Sequence, residues 1–300
     1  MEGTVEVYEY NRVPGVTLAP WEAAAALAIP SGERRLLTVD LGRRHVIVER
    51  IGDTIVFHHP RWSVEVEAAR LEEAAQARSK AYHAGLDGRV RPVEVREGGY
   101  YKLLPLQAAP PTLEINGIHM HRIWGTDPGR DTRAKLRAAR VRRGHVVLDT
   151  CMGLGYTAIA SLHRGASHVV TVEVDENVIL VARHNPWSEA LEDPRIDVVH
   201  GDVTRIVWML REESFDRIIH DPPRIGPSTG DLYGEEFYRR LYDLLKPGGI
   251  LFHYTGEPGK KRGATFPGRV AGRLGRVGFH VLGFDEAAKG VVAVKGRRAA

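Results

Sequence analysis

A single cysteine, Cys151, stands in 300 residues, so the chain has no internal disulfide and cannot supply a thiolate zinc cluster. No stretch approaches the ~20 consecutive apolar residues of a membrane span. The N-terminal Met1-Glu-Gly-Thr-Val-Glu has neither the basic nor the apolar region of a secretory signal. A reducing cytoplasm is the location these absences lead one to expect. Charge of one sign is also missing: 42 Lys plus Arg face 38 Asp plus Glu, too small an excess to indicate a nucleic-acid partner by itself. Gln and Asn are scarce and arginine outnumbers lysine 34 to 8, a pattern that suits a heat-adapted protein.

What is present is unevenly spread. The 43% hydrophobic content is that of a globular chain. Residues 1–110 carry 14 basic and 15 acidic side chains, whereas residues 122–143 carry 8 against 2 and residues 256–300 carry 10 against 3. The first 110 residues read as a small α+β domain. Thr4–Tyr10 alternates like a strand, Trp21–Ile29 is Ala-rich and reads as a helix, and Gly52-Asp53 joins two short strands in a hairpin. Val64–Ala84 reads mostly as a helix stopped by Gly85, and Val90–Val95 with Tyr100–Leu104 as a second hairpin. His58-His59 point to opposite faces of a strand and do not make a metal site. Ala108-Ala-Pro110-Pro111 reads as the linker to a second domain, 111–300.

That second domain has an α/β rhythm. Strands are expected at Val146–Leu148, Val169–Val174, Ile196–His200, Phe215–His220 and Ile250–Tyr254. Helices are expected at Asp131–Arg143, Thr157–Arg164, Glu176–Arg183, Val203–Leu210 and Glu235–Leu245. A helix at Val270–Gly278 and two closing antiparallel strands, Phe279–Phe284 and Gly290–Lys295, complete it. Such alternation predicts a mostly parallel sheet covered by helices. His119 and His121, before the first of these strands, share one face; with no convincing third ligand near, positioning or substrate contact is preferred to a metal.

The stretch Val146-Val-Leu-Asp149-Thr150-Cys-Met-Gly153-Leu-Gly155-Tyr is strand, acid, glycine turn and helix start. The third glycine of the dinucleotide pattern is absent, Ala158 standing in its place. An Asp before the turn suits an ammonium better than a pyrophosphate, and S-adenosylmethionine (SAM) carries an ammonium. Glu173, with Val174 beside it, lies 18 residues after Gly155, near the ~20 expected of an acid that binds ribose hydroxyls. Gly201-Asp202 ends the third strand; Asp202 can cap the next helix, and it also resembles the position where class I methyltransferases have an acid that accepts from the adenine amino group. The fourth strand ends His220-Asp221-Pro222-Pro223-Arg224. Two prolines directly after a buried strand forfeit two donors and make a stiff loop. Such a loop can hold the Asp221 carboxylate and the Pro222 carbonyl ready for the two N–H bonds of an amine. That pair localises the lone pair of a delocalised exocyclic nitrogen.

On these residues the chain resembles the class I SAM-dependent methyltransferases: motif I at Asp149–Gly155, then Glu173, Asp202 and the (Asp/Asn/Ser)-Pro-Pro-aromatic signature of amino-methyltransferases. The resemblance covers residues 113–300. It implies a Rossmann-like class I methyltransferase sheet, mostly parallel with a closing antiparallel strand, and SAM as cofactor with no metal. Gly117-Ile-His-Met-His121-Arg and the two motifs together resemble an archaeal methyltransferase family, which implies amino-methylation of an RNA base, narrowly cytidine N4 in ribosomal RNA. Arg224 departs from the pattern, which has an aromatic there to stack on the base. Arg224 can stack through its guanidinium, and Tyr233, Phe237 or Trp124 can replace the platform. Lys260-Lys261-Arg262, in a Gly- and Pro-rich loop, suit an RNA backbone; His121 is a further substrate candidate. Val172-Glu173-Val-Asp175-Glu-Asn-Val-Ile179 resembles a different family, the aminopropyltransferases that make spermidine from decarboxylated SAM. An inactive SAM- or RNA-binding module is the third reading, which an intact Asp221-Pro-Pro opposes.

Overall fold

The structure, a computed structural model, describes residues 5–227, 229–256 and 266–296. In chain order it begins with β1 (Gly15–Leu18), α1 (Pro20–Leu27), β2 (Arg34–Val39), β3 (Arg44–Ile51), β4 (Thr54–His59), β5 (Trp62–Glu67) and α2 (Glu72–Gln76). Then come β6 (Tyr82–Gly85), β7 (Val90–Pro92), β8 (Glu94–Val95), β9 (Tyr101–Leu106), β10 (Ala109–Ile115) and β11 (Ile118–His119). The α/β part follows: α3 (Pro128–Ala138), β12 (Val146–Asp149), α4 (Tyr156–His163), β13 (His168–Glu173), α5 (Glu176–His184), β14 (Ile196–His200), α6 (Val203–Ile206) and β15 (Phe215–His220). It closes with α7 (Glu235–Leu244), β16 (Leu245–Tyr254), α8 (Phe266–Val277), β17 (His280–Asp285) and β18 (Gly290–Val294).

Two compact units form, and their division differs from the expected one. The smaller is Tyr10–Gly129 with Asn177–Glu192; the larger is residues 1–9, 130–176 and 193–300. Pro110 and Pro111 are no linker: they lie inside β10, where a bulge between Ala109 and Thr112 lets the ladder with β9 pass two residues that cannot donate. The smaller unit has three antiparallel sheets, β1-β6-β7, β2-β3-β4-β5 and β11-β10-β9-β8. The helix expected over Val64–Ala84 forms only in its middle, a 3-10 turn at Ala68–Leu71 running into α2, and both its ends are strand, β5 and β6. Val64 and Val66 are buried between exposed Ser63, Glu65 and Glu67, a period of two hidden among charges that looked helical. His59 is buried on Asp40 and His58 is exposed, as alternation requires. Most of α5 belongs to this unit. Tyr10 Oη donates to Ala182 O at 2.7 Å, Thr17 Oγ1 to His184 O at 2.8 Å, and Glu189 pairs with Arg44 and Arg61. Against the effect of burial, His59, Arg12 and the Thr17 amide hold the Asp40 carboxyl down to about 2.

The larger unit holds a seven-stranded sheet, β14-β13-β12-β15-β16-β18-β17. The first five strands are parallel and the last two antiparallel, as expected of the Rossmann-like methyltransferase sheet. Leu148, Val172, Ile218, Leu251 and Ala293 fill its core. The strand order reverses between β12 and β15, and such a switch point opens a crevice at the strands' carboxyl ends. Residues 5–10 form no strand: Val5 packs on the core while Val7 is exposed, which breaks the alternation. α3 starts at Pro128, with Asp131 inside its first turn, and the chain turns left-handed at Arg140. α6 ends at Ile206 because Trp208 and Met209 close tighter i→i−3 turns. β16 reaches back to Leu245, a register shift absorbing the expected Pro-Gly-Gly turn.

Glycine serves opposite ends at two sites of this unit. A Cβ on Gly290 would stand 2.5 Å from Phe252 Cε2 and 2.6 Å from His253 O, whereas one on Gly275, in α8, would meet nothing within 4 Å. Gly290→Ala is expected to destabilise by about 1–3 kcal/mol through overpacking, and Gly275→Ala to stabilise by about 0.5–1 kcal/mol. Thermal unfolding of the two variants checks the opposite signs.

Candidate active site

The motif at the end of β12 is built as a cradle. Asp149 is fully buried; its Oδ2 accepts from Thr157 Oγ1 and Thr171 Oγ1, both at 2.9 Å, and its Oδ1 has no partner among the described residues. Burial pushes its carboxyl up to about 8, the two hydroxyls opposing only part of that rise. Gly153 (φ 55°) and Gly155 (φ 77°) are both left-handed, which is why glycine stands at each. Glu173, at the end of β13, pins this turn: Oε2 accepts from Gly153 N at 2.9 Å, and Oε1 from Val174 N and Asp175 N at 3.0 Å. Burial raises the Glu173 carboxyl too. An orphaned buried carboxylate oxygen, two left-handed glycines and a second carboxylate suit a ligand carrying an ammonium and a diol. SAM is such a ligand, and Asp149, Gly153, Gly155 and Glu173 would hold it.

The other cofactor candidates have visible structural duties. Thr150 Oγ1 is spent on His220 Nδ1 at 2.7 Å, tying β12 to β15. The Val174 side chain is exposed. Gly201 donates its N–H to Glu173 O at 2.8 Å, and a Cβ there would press on Ile206. Asp202 caps α6, accepting from Thr204 N at 2.9 Å and Thr204 Oγ1 at 2.7 Å, so the capping role is realised. Burial pushes the Cys151 thiol well up, which keeps it a neutral packing residue.

Across the switch point, Asp221 follows β15 and is met by a residue the sequence reading passed over. Lys135, on α3 and 4% exposed, places Nζ 2.5 Å from Asp221 Oδ2 and 2.7 Å from Asp131 Oδ2. The same Nζ lies 4.5 Å from the centre of the Tyr254 ring. Asp221 and Asp131 outweigh burial and keep Lys135 protonated well above the usual range, while burial raises Asp221 against the pull of Lys135. The hydrogen bond from Lys135 is taken by Asp221 Oδ2, and Oδ1 carries none among the described residues.

Pro222 is buried and Pro223 exposed, and the Pro223 carbonyl accepts from Tyr233 Oη at 2.7 Å. Tyr233 is therefore a brace for the proline loop and not a stacking platform: it is 2% exposed, and Arg273 in turn holds its carbonyl at 2.8 Å. Phe237 is likewise buried, 5.3 Å from the His220 ring. Under the loop His220 and His253, register partners on β15 and β16, meet edge to face at 4.4 Å. Tyr238 Oη lies 2.7 Å from His253 Nε2. Burial drives His220 far down and His253 to about 4, so both are neutral floor residues. Arg224 is exposed beyond the loop. His121 belongs to the smaller unit, with Nδ1 3.0 Å from Thr112 Oγ1; Trp124 is also in that unit. Lys260, Lys261 and Arg262 lie outside the described residues. No cluster of three or more potential metal ligands occurs among the described residues, and no helix there is long and apolar enough to cross a membrane.

Residues 153–263 match the spermine/spermidine synthase domain family. The chain is 49% identical over 212 residues to the uncharacterized protein MJ1233 of Methanocaldococcus jannaschii, covering 70% of this chain and 72% of that one. It is 40% identical over 95 residues to the polyamine aminopropyltransferase of Aeropyrum pernix, covering 30% of each chain. It is 27% identical over 195 residues to the ribosomal RNA large subunit methyltransferase I of Aeromonas hydrophila, covering 63% of this chain and 46% of that one. A spermidine synthase from Thermotoga maritima superposes with a TM-score of 0.51 at 22% identity, over 68% of this chain and 72% of that one, a likeness of fold alone. The comparisons thus point toward spermidine-synthase-like proteins rather than to a cytidine-N4 family, and they back the aminopropyl alternative better than the methyl reading.

Proposed function

This chain belongs to the family of the Methanocaldococcus jannaschii protein MJ1233, and we propose that it methylates an exocyclic amino nitrogen of an RNA base, cytidine N4 of ribosomal RNA being the narrow case. One observation carries the reading. Asp221 Oδ1, without a partner among the described residues, stands at the head of a proline loop braced by Tyr233, at the switch point that also bears the Asp149–Glu173 cradle.

SAM, when bound, supplies an electrophilic sulfonium methyl group. Asp149 and the glycine turn hold its ammonium end and Glu173 its ribose, while Asp202, beyond its capping bonds, is the candidate for the adenine amino group. Asp221 Oδ1 and the Pro222 carbonyl accept the two N–H bonds of the acceptor amine. This pair draws the nitrogen toward tetrahedral geometry, in a loop that needs no reorganisation. Asp221 then takes the surplus proton and passes it to water. Arginines of α3 and the basic C-terminal segment suit a polyanion.

The family match over residues 153–263 and the Aeropyrum pernix relative favour a second reading, aminopropyl transfer from decarboxylated SAM to a polyamine. The purified protein given methyl-labelled SAM with ribosomal RNA, and decarboxylated SAM with putrescine, decides between them. Label in RNA nucleosides is the expected result; aminopropyl transfer without methyl transfer would overturn the first reading.

A further inference from the structure

Lys135 has no place in the chemistry just described, yet it is the group nearest to the carboxylate on which that chemistry turns. Its Nζ is 2.5 Å from Asp221 Oδ2 and 2.7 Å from Asp131 Oδ2, and it sits over the face of Tyr254 at 4.5 Å. The side chain is 4% exposed, and Asp131 is 1% exposed one helical turn before it. An ammonium gripped by two carboxylates and a ring face cannot swing aside freely, nor can it give up its proton to serve as a base. It is a fixed positive charge beside the acceptor position.

We propose that Lys135 is the specificity-determining residue that closes the Asp221 position to cationic amines and reserves it for neutral ones. Resting on the assignment of Asp221 as holder of the acceptor nitrogen, this deepens the proposed function. A polyamine or a lysine side chain reaching Asp221 Oδ1 would bring a second ammonium within a few ångströms of Nζ, in a partly buried site where water screens poorly. Its counter-charge would also already be taken by Lys135. The amino group of a nucleobase is uncharged and pays neither penalty: it needs only a hydrogen-bond acceptor, which Oδ1 remains. Because Lys135 occupies Oδ2 alone, it also fixes the plane of the carboxylate and turns Oδ1 to the incoming N–H.

Removing the charge while keeping the bulk should reverse the selection. In Lys135→Met, Asp131 and Asp221 face an open site with the Tyr254 ring, a setting that attracts an alkylammonium. Putrescine binding is measured by calorimetry on the wild type, Lys135→Met and Lys135→Arg, with folding checked by thermal unfolding and SAM affinity. The wild type and Lys135→Arg are expected to show no saturable binding at low-millimolar putrescine, and Lys135→Met to bind at least ~10-fold more tightly. Should loss of the Lys135 charge between the two acids unfold Lys135→Met, Asp131→Asn/Lys135→Met carries one charge fewer and tests the same point. Saturable putrescine binding to the wild type, or none to either folded Met variant, overturns the proposal. Methylation of ribosomal RNA by the wild type is scored separately. Its failure with polyamine exclusion intact would sink the RNA reading and leave the filter standing.

Discussion

Asp221→Ala is expected to lower kcat for methyl transfer about 10³-fold, the upper range for loss of one preorganised electrostatic contact, while SAM affinity stays within a few-fold. The size follows from what Asp221 does in this structure. Its Oδ1 holds the acceptor nitrogen, and its charge is the counter-ion of a buried ammonium 2.5 Å away. Alanine removes both and leaves Lys135 facing the acceptor with only Asp131 to balance it. A desolvated cation beside a nitrogen that must become positive raises the barrier further. Asp221→Asn retains an oxygen acceptor and should lose less, about 10²-fold. Single-turnover methylation with labelled SAM measures both, and calorimetric SAM titration supplies the binding arm. If Asp221→Ala keeps a tenth or more of wild-type kcat, Asp221 does not hold the acceptor and Lys135 guards nothing.

The sheet was readable because its strands carry short buried apolar runs ending in chemistry: Val147-Leu148, Val169-Val170 with Val172, and Ile218-Ile219 are buried, and each strand delivers an acid at or just after its carboxyl end. Both faces of such strands are covered, so hydrophobicity alone marks them. The smaller unit lacks this clarity. In β5 a two-residue period sits among glutamates, and Pro110-Pro111 pass for a linker although a bulge admits them to a ladder. The acids of the site were legible for the same reason as the strands, since position at a strand end is a local property. Lys135 was not. Its partner lies 86 residues away, and nothing within the Arg-rich α3 distinguishes it from its neighbours before the helix is docked. Tyr233 was misread for the converse reason: an aromatic near the proline loop suggested stacking, and its hydroxyl proves to be the useful end. His253 carried a usable signal, since it occupies on β16 the register position His220 occupies on β15.

Asp149→Asn is expected to weaken SAM binding about 100-fold at pH 8 and to abolish its pH dependence. Asp149 is wholly buried with one oxygen unpartnered, and its carboxyl lies near 8 against about 3.9 in an unfolded chain. Between those values the folded protein holds a proton that the unfolded chain releases. The stability this contributes is full below about pH 4 and is lost as pH rises through about 8, by at most about 1.4 kcal/mol per pH unit. A bound ammonium reverses the preference, because it favours the carboxylate and expels the proton. SAM should therefore bind up to ~10-fold more tightly per pH unit from 6 toward 8 and level off above. Asparagine has the shape of the neutral acid but cannot ionise. The variant free of SAM should match the wild type in thermal stability near or below about pH 4 and exceed it increasingly as pH rises toward about 8, whereas its SAM affinity should be low and flat. Calorimetry in buffers of differing ionisation enthalpy reads the released proton directly. A wild-type affinity that does not change between pH 6 and 8, with no proton released, would show that Asp149 is a structural acid held by Thr157 and Thr171 and that the ammonium is bound elsewhere.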